Sequence, residues 1–244
     1  MEGAKMRQDG RLLNDMRKVK ITPDYIKYAE GSCLMEVGNT KVICTANVED
    51  GVPSFMKGQG RGWVTAEYGM LPGSCQKRVP REATKGKKEG RTHEIQRLLG
   101  RAMRCVTDLS LFGEKTMWID CDVIQADGGT RCASITGGFV ALCLAFENMM
   151  KKGILKKNPV KNYIAAVSAG IVDDKIYLDL TYEEDSRAQV DGNIVMTDSG
   201  EFVEVQFTAE GRTMGSGELD KVLEVAQKGI KNLIKEEKDL LKGA

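Results

Sequence analysis

The chain has 244 residues, with 41% apolar and 29% charged residues and a formal charge of +1. That is enough for one large or two small soluble globular units, and no global basicity marks a nucleic-acid partner, so any such surface must come from local clustering. Seven scattered cysteines without a C-x-x-C pair and a single histidine, His93, argue against a zinc site and leave Ser-His-Asp or Cys-His chemistry only that one residue to rest on.

Elements follow in chain order. The opening MEGAKMRQDGR has no apolar stretch and does not read as a signal peptide. No run is expected to have the length of a membrane span, and reduced thiols in a cytoplasmic protein are the default. CLMEV (33–37) and KVICTANV (41–48) flank Gly38-Asn39-Thr40, a hairpin pattern. A glycine-rich loop, KGQGRGW (57–63), precedes GWVTAEYGMLPGS (62–74), whose Trp63 and Tyr68 suit either base stacking or core packing. From Cys75 to Arg91 the chain is polar and basic and reads as a mobile loop. Residues 94–109 place Ile95, Leu98, Leu99, Ala102, Met103, Val106 and Leu109 at helical spacing. TMWIDCDVIQ (116–125) alternates, with Met117, Ile119, Cys121 and Val123 on one strand face and Asp120 and Asp122 on the other. Residues 133–150 are apolar nearly all round, as in a buried helix. Strand patterns recur over 163–172, 175–180, 193–196 and 201–209, with turns at Asp173-Asp174 and Asp198-Ser199-Gly200. An amphipathic helix covers 217–241. Strands then helices, twice over, indicate an α+β architecture.

Three stretches could carry chemistry. QADGGTR (125–131) is a strand that ends in two glycines and enters a helix. Glycines admit a ligand close to the backbone, free N–H groups at a helix start attract an anion, and Arg131 adds a planar fork for phosphate oxygens. A plain tight turn with Thr130 as the helix cap fits the same pattern, and a Walker loop is excluded by the glycine spacing and the missing lysine. Between 77 and 104 lie Lys77, Arg78, Arg81, Lys85, Lys87, Lys88, Arg91, Arg97, Arg101 and Arg104 against only Glu82, Glu89 and Glu94. RNA phosphates are one partner for such an excess, a solvated loop and helix face the alternative. The arginines at 91, 97, 101 and 104 suit phosphate or interface pairing. The acidic segment LDLTYEEDSRAQVDGN (178–193) gathers Asp179, Glu183, Glu184, Asp185 and Asp191. Carboxylates so placed bind Mg²⁺ or move protons, although spacing alone favours an acid-rich surface turn.

Taken together, RQDGR (7–11), GRGWVTAEYGMLPGS, GRTHEIQRLLGRAMR (90–104), IDCDVIQADGGTRCASITGG (119–138), LDLTYEEDSRAQVDGNIVM (178–196) and VEVQFTAEG resemble the bacterial RNase PH family, in the family's order and over nearly the whole chain. The resemblance implies a single RNase PH domain over residues 1–244, with the α+β, ribosomal-protein-S5-domain-2-like fold of mixed sheets packed with helices. It implies a phosphorolytic 3′→5′ exoribonuclease that trims nucleotides beyond the CCA end of transfer-RNA precursors, with inorganic phosphate as co-substrate and Mg²⁺ as cofactor. It implies a cytoplasmic homohexamer built as a trimer of dimers. The family's phosphate site falls on Arg91, Gly129, Thr130 and Arg131. Its acidic pair, catalytic and metal-binding, falls on Asp185 and Asp191, and its RNA-contacting loop arginines on Arg78 and Arg81. Cys132 stands where the family usually has threonine and Phe207 where it usually has glycine; neither removes an assigned group. The alternative is an RNA-binding ring subunit without activity, which would lack the acidic pair or Arg131.

Overall fold

In a computed structural model the described residues are 7–87 and 89–243; the side chain of Lys85 lies outside them. Two members of the basic run, Lys85 and Lys88, are therefore not described as side chains, and neither is the opening MEGAKM.

Two sheets are built. The first has five strands in the order β1 (Val19–Pro23), β2 (Gly31–Val37), β3 (Thr40–Asp50), β5 (Lys115–Gln125), β4 (Trp63–Met70). All its pairs are antiparallel except β4 with β5, which run parallel. The second is antiparallel throughout, in the order β7 (Lys175–Leu178), β6 (Ile164–Val172), β8 (Val190–Thr197), β9 (Phe202–Ala209). The helices are α1 (Glu82–Lys85), α2 (Gly90–Cys105), α3 (Thr130–Lys151), α4 (Tyr182–Asp185) and α5 (Ser216–Leu241).

The helix α3 lies between the sheets, packed on β2 and β3 of one and β6 of the other, while α5 covers the opposite side of β6. That position explains its sequence. A helix that meets protein on every side has no polar stripe, and Phe139, Leu142 and Phe146 are fully buried. Burying each such side chain is worth roughly 1.5–3 kcal/mol. Small residues let it approach the first sheet: a Cβ on Gly31 of β2 would sit 2.1 Å from the Ala141 carbonyl oxygen. The expectation about membrane spans needs one correction. By length and composition alone α3 could cross a membrane, but 89% of its most apolar window is buried inside the protein, so it is a core helix.

The hairpin, the alternating strand and the amphipathic C-terminal helix lie where periodicity puts them. Met117, Ile119, Cys121 and Val123 are buried, and Asp120 and Asp122 face away. The helix expected over 94–109 is displaced. It starts at Gly90 and stops at Cys105, because Val106 turns away at φ −101°, ψ 6°. Val106 and Leu109 still reach the core from the irregular segment that follows. The loop 75–91 contains one ordered turn, α1, tied to α2 by Glu82, whose Oε1 accepts from Thr92 Oγ1 at 2.5 Å and from the Glu89 N–H at 3.2 Å.

Candidate active site

The strand β5 ends at Gln125 and the chain reverses through Asp127-Gly128-Gly129 into α3. Both glycines take left-handed conformations, at φ 74° and 66°. At Gly128 the need is also steric: a Cβ there would lie 2.5 Å from the Leu180 carbonyl oxygen. Gly129 is the N-cap of α3 and supplies no side-chain acceptor. Thr130 does not cap either. Its hydroxyl bonds the buried Tyr68 hydroxyl at 3.0 Å. The first N–H groups of α3 are thus left without a side-chain cap, as an anion site requires.

A charged frame beneath the turn fixes its path. The Arg17 guanidinium is buried and donates to the Asp127 and Gly128 carbonyls from one side and to the Asp179 carboxylate from the other. Arg7 clamps Glu184 from Nε at 2.8 Å and donates to the Leu178 carbonyl at 2.6 Å and the Asp179 carbonyl at 2.8 Å. Glu184 also completes a capping box with Thr181 at the start of α4. Its carboxyl is held below the usual range; burial opposes this, and the bonds from Arg7 and Thr181 outweigh it.

The acidic run therefore divides. Asp179 and Glu184 are committed to the frame, and Glu183 is exposed. Asp185, also exposed, closes α4, and the half-buried Asp191 is the second residue of β8. Both carboxyls are pushed above the usual carboxylate range. Desolvation is the largest cause for each; Asp191 adds to the shift at Asp185, and Glu210 adds at both. Arg91 and Arg131 act on both acids in the opposite sense. Arginines expected to receive phosphate and acids expected to do chemistry thus share one electrostatic site. Glu210, just past β9, was not singled out in the sequence. It reaches the site through the pairing of β9 with β8, a register that no local spacing reveals.

Arg131 bonds Gln206 Oε1 of β9 through Nη1 at 2.9 Å and Glu94 of α2 through Nη2, at 3.2 Å from its nearer oxygen. Arg91, in the first turn of α2, is exposed and engaged by no hydrogen bond or ion pair among the described residues. A cleft of about 240 Å³ brings Arg91 together with Arg81 and Tyr68. Arg78 is also exposed, outside that cleft's lining. Tyr68 itself has its pKa raised by burial, against the bond to Thr130 and the charges of Arg91 and Arg131.

Other members of the basic run have structural employment. Arg101 pairs with Glu204 at 3.2 Å. Arg104 donates to the Val64 carbonyl at 2.7 Å and stacks 4.3 Å from the Trp63 ring centre, against which Phe55 packs edge-on. Trp63 and Tyr68 are thus packing residues. Cys132 is buried with its thiol pushed up to about 12, mainly by desolvation, and donates to Asn193 Oδ1 at 3.3 Å. The Phe207 ring lies across Gly192, where a Cβ would come within 2.1 Å of it, and packs on the α5 side of the second sheet.

The sequence profile of the 3′ exoribonuclease family, domain 1, matches residues 15–146, and that of its domain 2 matches residues 162–229. A protein of Bacillus cytotoxicus named ribonuclease PH is 55% identical over 237 residues, covering 97% of both chains. One of the same name from Bacillus cereus is likewise 55% identical over 97% of each. Among solved structures, the chain resembles a subunit of the Archaeoglobus fulgidus exosome with RNA bound to the active site, at a TM-score of 0.81 and 23% identity over 95% of this chain and 92% of that one. It also resembles rice Rrp46, at a TM-score of 0.79 and 16% identity over 96% and 100%. At these identities the two structures speak for the fold alone.

Proposed function

From the premise that the chain belongs to the 3′ exoribonuclease family as a ribonuclease PH relative, we propose that it shortens RNA from the 3′ end by phosphorolysis, with Arg91 and the Gly129–Arg131 turn receiving inorganic phosphate. The observation that carries this reading is the convergence of Arg91 and Arg131 on Asp185 and Asp191 beside the uncapped start of α3.

Phosphate lies against the free N–H groups of α3 with the arginines neutralising its charge. One of its oxygens attacks the last phosphodiester phosphorus. The bond from that phosphorus to the 3′ oxygen of the preceding nucleotide breaks, a nucleoside diphosphate departs, and the shortened RNA keeps a 3′ hydroxyl. Positioning and charge neutralisation supply most of the acceleration. The departing 3′ oxygen needs a proton, and we take one of the acidic pair, Asp191 by preference, as its donor.

Asp185 and Asp191 would hold Mg²⁺. Carboxylate oxygens are the ligands a hard divalent cation takes, and Glu210 adds negative charge near both acids. Among the described residues no third His, Cys, Asp or Glu closes a ligand cluster with them, so the pair would hold the ion together with substrate oxygens. Such an ion supplies charge stabilisation at the transferring phosphoryl group.

RNA approaches along the loop that carries Arg78 and Arg81. The natural substrate we assign is the transfer-RNA precursor 3′ end beyond CCA, in the cytoplasm, and the working assembly is a homohexamer made as a trimer of dimers. Within one protomer, the two matched segments act as a single folding unit, since α3 is packed against both sheets. An inactive ring subunit is disfavoured because the acidic pair and Arg131 are all present.

The deciding experiment follows end-labelled RNA with and without inorganic phosphate. Nucleoside diphosphate released only with phosphate supports phosphorolysis. Nucleoside monophosphate released without it would make the enzyme a hydrolytic nuclease.

A further inference from the structure

Three side chains from three separate elements close a small polar ring beside the proposed phosphate site. Arg131 of α3 donates from Nη1 to Gln206 Oε1 at 2.9 Å. Its Nη2 meets the Glu94 carboxylate of α2 at 3.2 and 3.4 Å. Gln206 Nε2 of β9 then donates to Glu94 Oε1 at 3.3 Å. The arrangement is fixed by chemistry. A guanidinium only donates and a carboxylate only accepts, so a carboxamide between them must turn its oxygen to arginine and its nitrogen to glutamate.

Both outer nitrogens of Arg131 are thereby tied to protein groups. The inner Nε–H is buried and has no partner among the described residues. A buried donor without an acceptor is unfavourable unless something arrives to fill it. Arg91 lies three residues before Glu94 on the same helix and makes no hydrogen bond or ion pair among the described residues. The ring therefore spends Glu94 on the outer edge of one arginine and leaves the other arginine, together with the Arg131 N–H groups that the ring does not use, for an incoming anion.

We propose that Glu94, acting with Gln206, is the positioning residue that aims the Arg131 guanidinium at inorganic phosphate. The inference rests on the reading of Arg131 as a phosphate ligand. Glu94 does not itself touch phosphate. It holds Arg131 away from Asp185 and Asp191, whose negative charge would otherwise draw the side chain across the site. Glutamate serves here because a charge-assisted bond holds a long, rotamer-rich side chain better than a neutral one.

The test measures initial rates against phosphate and against RNA separately for Glu94→Ala, Glu94→Gln, Arg131→Ala and the Glu94→Ala/Arg131→Ala double variant. Glu94 is half-exposed, so its variants should fold; thermal melting checks this. In Glu94→Ala the KM for phosphate should rise about 10-fold, the loss of one charge-assisted bond, with kcat and the KM for RNA nearly unchanged. Glu94→Gln should recover most of that loss, because its carboxamide oxygen still accepts from Nη2. In the Arg131→Ala background, removal of Glu94 should have no further effect on the KM for phosphate. An unchanged or lowered KM for phosphate in Glu94→Ala, or full additivity in the double variant, overturns the proposal. If Arg131→Ala itself left the KM for phosphate untouched, the assignment of the phosphate site would be at fault instead.

Discussion

Arg17 and Asp179 form a buried bidentate pair directly beneath the glycine turn, with Nη2 2.6 Å from Oδ1 and Nε 2.9 Å from Oδ2. The Arg17 backbone N–H donates to the same carboxylate at 2.8 Å. Asp179 itself adopts a left-handed conformation, at φ 54°, to present its side chain there. Through Arg17 this pair holds the Asp127 and Gly128 carbonyls, and so sets the direction in which α3 starts.

Asp179→Asn tests the frame. Asparagine tolerates the left-handed backbone, so the change removes charge without adding strain. It leaves Arg17 buried without its main counter-ion, and breaking one side of a buried pair costs about 3–5 kcal/mol. Urea unfolding should show a loss of that order, and the phosphate requirement should rise as the turn loosens. A variant as stable as the parent would mean that the carbonyl bonds alone hold Arg17.

Arg131→Ala should raise the phosphate requirement more than the RNA requirement. Removing charge-assisted hydrogen bonds worth roughly 1.5–3 kcal/mol predicts about a 10- to 150-fold loss in apparent phosphate affinity. Phosphate saturation curves at fixed RNA measure it. RNA binding that collapsed while phosphate saturation stayed put would make the turn an RNA clamp.

The core was legible where one physical signal acted alone. Apolar residues on all sides of 133–150 gave the buried helix, and alternation over 116–125 gave β5. By contrast β4 does alternate, with Val64, Ala66 and Tyr68 buried, but its small residues and glycine weaken the pattern. β1 was missed for its shortness and the lysine within it. In the site, Arg91 and Arg131 act electrostatically on Asp185 and Asp191. Spacing could not show that Glu184 and Asp179 in the same acidic run serve Arg7 and Arg17, partners 177 and 162 residues away. The places of Glu94, Gln206 and Glu210 in the site were hidden for the same reason: each reaches it through a tertiary approach of α2 or the β8–β9 pairing.

Assembly gives a separate prediction. The arginine-rich helix was expected to need partners beyond solvent, yet Arg101 and Arg104 find theirs within the chain, which leaves Arg97 and the exposed Arg78 and Arg81 for outside contacts. Sedimentation should give a multiple of 26.8 kDa at micromolar protein. Arg78→Ala with Arg81→Ala should weaken RNA binding and its salt dependence, since each lost phosphate contact removes released counterions. Unchanged RNA affinity together with unchanged mass would remove both roles from that loop.

The acidic pair permits the sharpest prediction, because activity and stability should move in opposite directions. Asp191→Asn keeps size but removes the negative charge and the exchangeable proton. Single-turnover release of nucleoside diphosphate at saturating phosphate should fall by about 10²-fold or more, the usual contribution of a general acid or base. Asp185→Asn should act similarly, and the double variant should lose far less than the product of the two, as groups that work as a unit do. Exposed Glu183→Gln is the control and should be near normal. Stability follows from the raised carboxyls. A carboxyl whose folded pKa lies above its unfolded value holds its proton more tightly in the folded state, so its contribution is present at low pH and lost as pH rises through the folded value. At neutral pH the ionised pair therefore costs stability. Asp191→Asn should melt higher than the parent at neutral pH, and the gain should vanish below about pH 3.5, where unfolded aspartates are themselves protonated. A variant that kept full activity would reduce the segment to an ordinary acidic turn. One that lost activity and melted lower at neutral pH would mean that Asp191 holds the fold rather than the chemistry.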